Sequence, residues 1–282
     1  MTTTTKARIE QPVSPYALAL REELAGGGMR ERARMKLGDL DVAVSEGRDA
    51  LWVIVRRPDR GGVALRAAHL PAGAFEVRTI TRARGGPLRF EIDSLAGTYG
   101  VTVTLSEADL HRLCVQVTLT PSAPLRLPFV PRDLYPLDAN DDPVGAKGNV
   151  EAAQRGVNSG LVYFRLDEPA FGSVLYFQNL TSLNRYFRAT GTKPEGVVGG
   201  EWPELGYLPP VTKDEDGGAL PAGEDIVLSD AILVFRDWAG DNEQEMARQF
   251  LQMLGAAYKA LELPRAEYRD WLARAERTLH DL

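Results

Sequence analysis

Beyond residue 37 the apolar positions fall in short runs broken by glycine, proline and polar residues, a rhythm that predicts β-strands rather than helices. Residues 51–55, 75–80, 88–92, 99–105 and 113–119 carry it, and it resumes at 160–166, 172–177, 226–228 and 231–235. Several runs alternate with period two. Val101, Val103 and Leu105 share one face while Thr102 and Thr104 share the other, as in a sheet covered on one side. Gly61-Gly62 and Gly85-Gly86-Pro87 supply turns between strands. The Pro-rich stretch 121–133 is too poor in backbone donors to be a central strand and is expected to run extended across an edge. About ten strands before residue 236, with no clear helix among them, predict a mainly β fold: a large antiparallel β-sandwich of two packed sheets.

After Trp238 the period becomes helical. Asp241 and Asn242 can cap, with Gln244 and Glu245 three residues on, and Met246, Phe250, Met253, Leu254, Ala257, Tyr258 and Leu261 form one stripe. Leu263-Pro264 breaks this helix, and a second one presents Tyr268, Trp271, Leu272, Ala275, Leu279 and Leu282. It carries no Gly, Asn or Pro stop, so it is expected either to lie back on the sandwich or to meet a partner. The chain thus divides into a flexible N-terminal lead over 1–36, a sandwich domain over 37–238 and a helical linker with C-terminal helices over 239–282. In the lead, residues 14–24 read as a helical turn closed by glycines 26–28, and the mixed-charge run 29–36 as a solvated connecting segment.

Composition narrows the function. Of 282 residues 44% are apolar, and 39 acidic against 33 basic residues leave a net charge of −6. Without a basic excess, neither nucleic acid nor an anionic membrane is an expected partner. No apolar stretch approaches the roughly 18 residues of a membrane span, and residues 1–12 lack the apolar core of a secretory signal, so a cytoplasmic protein is expected. The single cysteine, Cys114, reads as a small buried residue on a strand.

Familiar catalytic and cofactor motifs are missing. No Walker-type loop, Gly-x-Gly-x-x-Gly, Cys-x-x-Cys or His-Glu-x-x-His occurs, and the serine in 156–160 is one place too late for a nucleophile elbow. His69, His111 and His280 are widely separated, which argues against a histidine metal site. Residues 138–142 begin like a calcium loop, but Pro143 replaces the turn glycine and Asn149 the bidentate Glu, so a polar surface turn is expected. Neither cofactor nor metal is anticipated.

The chemically rich stretch is 178–210. It reads as a long loop bearing Tyr186, Phe187, Trp202 and Tyr207, and loops of that length in a compact domain are usually functional or disordered. Trp202 stands between Glu201 and Glu204, with Asn179, Asn184 and Lys193 nearby in sequence. A flat aromatic flanked by carboxylates and amides suits a saccharide, whose apolar face stacks while its hydroxyls hydrogen-bond. Trp202, Tyr207, Asn179, Asn184, Tyr186 and Lys193 are therefore the candidate substrate-binding residues. The competing expectation is that these aromatics plug the end of the sandwich. Glu201 and Glu204 are candidate catalytic carboxylates, since glycoside hydrolysis uses an acid paired with a base or nucleophile about 5 to 9.5 Å apart. The acidic run 214–216 reads as a solvated turn.

The order of parts, together with segments 119–121, 131–136, 172–181 and 200–207, resembles the N-terminal β-supersandwich and linker-helix region of bacterial glycoside hydrolases and phosphorylases whose catalytic domain is a six-hairpin α-toroid. The resemblance spans most of residues 37–282. It implies that the general acid and base come largely from a toroid with no counterpart here, while the sandwich packs on it and lends a loop to the cleft. The resulting expectation is a noncatalytic sandwich domain of a carbohydrate-active enzyme, contacting an oligosaccharide or polysaccharide through 178–210, with an α-helical catalytic domain or partner chain alongside. Two other readings are a self-sufficient glycoside hydrolase using Glu201 and Glu204, and a structural interaction protein docking through its C-terminal helices.

Overall fold

A computed structural model describes residues 13–70, 75–154, 160–168, 170–211, 218–261 and 270–281. Residues 1–12, most of the serine-bearing turn at 156–160, the acidic turn 214–216, Pro264, Tyr268 and Leu282 lie outside the described residues. In chain order the elements are α1 (Pro15–Ala25), β1 (Arg30–Leu37), β2 (Leu40–Glu46), β3 (Ala50–Arg56), β4 (Gly62–His69), β5 (Phe75–Arg82), β6 (Leu88–Ser94), β7 (Gly97–Ser106), β8 (His111–Pro121), β9 (Leu134–Leu137), β10 (Lys147–Gln154), β11 (Gly160–Glu168), β12 (Gly172–Gln178), α2 (Asn184–Thr190), β13 (Val198–Glu201), β14 (Glu204–Tyr207), β15 (Ile226–Arg236), α3 (Glu243–Tyr258) and α4 (Trp271–Asp281). The strands form two antiparallel sheets, ordered β1-β2-β3-β4-β9-β14-β13 and β10-β11-β12-β15-β8-β7-β6-β5. The protein is mainly β, a two-sheet sandwich followed by C-terminal helices.

The main core lies between the sheets, and each sheet also carries a helix on its outer face. In β3, Leu51, Val53 and Val55 point into the core, while Ala50, Trp52 and Ile54 pack outward with Ala17 and Leu20 of α1. In the second sheet Val174, Tyr176, Leu233 and Phe235 face inward, and Leu175, Ile232 and Val234 meet Met253, Ala256 and Ala257 of α3. Strands buried on both faces need unbroken apolar runs, whereas β6 and β7 alternate because their outer face meets water. Cys114 faces the α3 side of β8, and burial pushes its thiol up. Asn242 caps α3, its side chain accepting from the Glu245 N–H at 3.0 Å while Glu245 accepts from the Asp241 N–H at 3.1 Å.

Two expectations need correction. The helical turn expected over 14–24 is present as Pro15–Ala25, capped by Ser14, but residues 30–37, expected as a solvated connecting segment, form the edge strand of the first sheet. The charges of β1 reflect that edge position, where only Met35 and Leu37 are buried. Residues 178–210 are likewise not one long loop, for they contain α2 and the β13–β14 hairpin. The 138–142 turn is polar as expected, the Asp138 carboxylate accepting from the N–H groups of Asn140 and Asp142. On α4, Trp271, Leu272 and Leu279 are exposed. No helix among the described residues is long and apolar enough to cross a membrane.

Candidate functional site

The β13–β14 hairpin turns on Trp202-Pro203 and pairs Glu201 directly with Glu204. Cross-strand partners project to the same face of a ribbon, so both carboxylates lie on one side. They border a surface groove of about 350 Å³, whose walls include Tyr16, Phe129, Arg132 and Leu208. The Tyr16 and Phe129 rings are 6.1 Å apart and tilted by 37°, and they are 37% and 52% exposed. Three distant segments thus converge: the first turn of α1, the Pro-rich crossing between the sheets, and the hairpin.

The two acids differ in their surroundings. Glu201 is exposed, whereas Glu204 is half-buried and its Oε1 accepts from the Ser14 hydroxyl and from the Tyr135 hydroxyl, the latter at 3.3 Å. Burial raises the Tyr135 phenol, so its hydroxyl remains a donor at neutral pH. Ser14 serves two roles, because its oxygen also accepts from the Tyr16 N–H at 3.1 Å as the cap of α1. That cap fixes Tyr16 at the groove.

Beneath the groove, Arg132 Nη1 donates to the Gly206 carbonyl at 2.9 Å. The next residue, Asp133, is buried between the sheets. Its Oδ1 accepts from the Tyr207 N–H at 2.7 Å and its Oδ2 lies 2.8 Å from the Tyr176 hydroxyl, which ties the first sheet to the second. Gly206 permits this approach: it has φ +90°, and a Cβ there would stand 2.1 Å from Asp133 Oδ1. Burial raises the Asp133 carboxyl to about 7, against the lowering influence of the Tyr207 N–H, the Tyr176 hydroxyl and the Arg132 charge. Hydrogen-bond arithmetic points the same way. Tyr176 Oη is 2.8 Å from both Asp133 Oδ2 and Gln178 Oε1, yet a hydroxyl has one hydrogen to give. A protonated Asp133 would complete the chain, donating to Tyr176, which would then donate to Gln178.

The saccharide candidates do not assemble as the sequence suggested. Tyr186 and Tyr207 are core side chains, and Tyr186 donates its hydroxyl to the Pro210 carbonyl at 2.9 Å. They meet at an inter-sheet cavity of about 60 Å³, far below the several hundred Å³ of ordinary ligand clefts. Trp202 is half-buried and turned inward: its Nε1 donates to the Ala146 carbonyl at 2.9 Å, and its ring stands edge-on to Phe164 at 6.1 Å. Tyr186 and Tyr207 are thus packed in the core and Trp202 against it, and the three rings are not gathered on an exposed face. Asn179 closes the turn after β12 by donating to Asp230 and Ser182, while Asn184 and Lys193 are exposed.

The groove's own aromatics, Tyr16 and Phe129, and its guanidinium, Arg132, were missed in the sequence. Phe129 carried a signal, a large apolar residue inside a proline-rich stretch that cannot be a buried strand. Among the described residues no cluster of His, Cys, Asp and Glu could hold a metal ion. Chemically the groove offers two exposed rings for stacking, carboxylates as acceptors and a nearby guanidinium. Compared with models of protein families, with curated proteins and with solved structures, the chain matches none of them.

Proposed function

We propose that this chain is a noncatalytic β-sandwich domain of a carbohydrate-active enzyme, and that it contacts a saccharide at the Tyr16–Phe129–Glu201 groove, with the bond-breaking groups on an α-helical catalytic part. The observation that carries the reading is the exposure of two adjacent aromatic rings in a groove that also presents two carboxylates and a guanidinium. Rings supply the apolar face that a pyranose stacks on, and the acids accept its hydroxyls. The noncatalytic role rests on Glu204, whose Oε1 is occupied by two hydroxyl donors that anchor α1 and β9. The resemblance to supersandwich regions points in the same direction.

One observation favours a second reading. The register that sets Glu201 opposite Glu204 places two carboxylates on one face, as a self-sufficient glycoside hydrolase would need. Turnover separates the two. Under the favoured reading the chain releases no reducing ends from an oligosaccharide panel and Glu201→Gln changes nothing in that assay, whereas turnover lost in Glu201→Gln would establish the hydrolase.

Binding is tested by calorimetry with cello-, malto-, xylo- and chito-oligosaccharides. Phe129→Ala is expected to weaken the best ligand about tenfold, the equivalent of ~1.4 kcal/mol. Because Phe129 is half exposed, the same variant should keep the unfolding midpoint. Absence of binding across the whole panel would defeat the proposal.

A further inference from the structure

The connection from β15 to α3 forms a second aromatic groove. Trp238, 45% exposed, lines a depression of about 640 Å³ together with Arg60, Arg165, Asp167, Asp237 and Asp241. The turn that presents this indole is held from both sides. At the start of β12, Gly172 has φ +115°, and a Cβ there would stand 2.1 Å from the Arg236 carbonyl oxygen and 2.9 Å from the Trp238 nitrogen. Only bare backbone fits so close to the chain entering the turn. From the helix, Gln249 donates its Nε2 to the Trp238 carbonyl at 2.8 Å. Its Oε1 accepts from Tyr163 at 2.9 Å and from Ser173 at 3.1 Å, so a side chain only 1% exposed is satisfied at both ends.

A buried polar network of this kind must be fully paired to be tolerated. Here its product is a fixed turn whose backbone presents a large apolar ring, 45% exposed, to solvent. The charges beside it select the ligand. Arg165 is paired with Glu151 and Asp167, each at 3.1 Å, which leaves Asp237, Asp241 and Arg60 as the remaining charged residues of the lining. A net acidic wall repels phosphate and sulfate, while carboxylates and guanidinium around a flat ring match a neutral polyhydroxylated ring.

We propose that this groove is a second saccharide subsite, with Trp238 as the stacking platform and Asp237 and Asp241 as hydroxyl acceptors. The ligand class rests on the saccharide reading of the first groove, but the site itself does not. The test uses the full chain and titrates cellopentaose, maltopentaose, xylopentaose and chitopentaose, following tryptophan fluorescence and calorimetric affinity. Trp238→Ala is expected to abolish the fluorescence response and to weaken the best oligosaccharide about tenfold, while Trp238→Phe retains most of the affinity. Phe129→Ala should leave the Trp238 response in place. An affinity lost in Phe129→Ala and untouched in Trp238→Ala would overturn the second subsite and spare the first. No response to any of the four sugars at about 10 mM overturns both. A response to spermine without one to sugar would assign the groove to organic cations instead.

Discussion

Asp133→Asn is expected to be more stable than the parent protein at pH 8 and nearly equal to it at pH 4. An ordinary Asp in the unfolded chain titrates near 3.9, whereas the folded carboxyl is held at about 7 by burial. A raised folded pKa means that the native state holds the proton more tightly. The associated stability is complete below about pH 4, is lost progressively as the unfolded chain deprotonates, and is gone above about pH 7. The gap between the folded and unfolded carboxyl corresponds to a stability difference on the order of 4 kcal/mol.

Asparagine reproduces the neutral acid. Its oxygen accepts from the Tyr207 N–H, and its amide donates to Tyr176, whose hydroxyl then serves Gln178. Urea unfolding at a series of pH values checks this, with the difference between parent and variant as the readout, so that other carboxylates cancel. A constant difference from pH 4 to pH 8 would mean that Asp133 is ionised throughout and that Tyr176 gives its hydrogen to the carboxylate.

Trp202→Ala should cost about 2–3 kcal/mol of stability, less than the full burial of a tryptophan because the side chain packs against the core but is not fully enclosed by it. The loss combines the edge contact with Phe164 and the hydrogen bond to the Ala146 carbonyl. Trp202→Phe keeps much of the packing and forfeits the hydrogen bond, so about 1 kcal/mol is expected. Neither the ring nor its N–H borders the Glu201–Glu204 groove, and the phenylalanine variant should bind the best oligosaccharide as the parent does. Chemical denaturation and calorimetry on the same samples distinguish this from a saccharide-stacking role, in which stability would hold and affinity would fall.

The contrast between Trp202 and Phe129 shows where sequence reading reached its limit. Trp202 between two glutamates had the inventory of a sugar platform, yet burial was decided by Phe164 and Ala146, which lie 38 and 56 residues away in the chain. β13 and β14 have four residues each and contain glycines, too few positions to reveal a period of two, so the stretch read as loop. β1 escaped notice for a different reason, since an edge strand carries charges on positions that a central strand would fill with apolar residues. Long strands and the α3 stripe were legible because each has enough positions for its period to show. Even there Tyr258, placed on the α3 stripe by spacing, is 55% exposed.

By itself the amino-acid sequence determined that two β layers would enclose a core, that a capped amphipathic helix would follow, and that the one cysteine would sit on a strand. Those properties are local, because burial of alternate residues or of every third and fourth is written within a single element. Only the tertiary structure decided which polar and aromatic side chains meet. Tyr16, Phe129 and Glu201 share a groove, Asp133 meets Tyr176 inside the core, and Trp202 turns inward. Such meetings depend on strand order and register, which arise from pairing between segments far apart in the chain, and no local window of residues contains them.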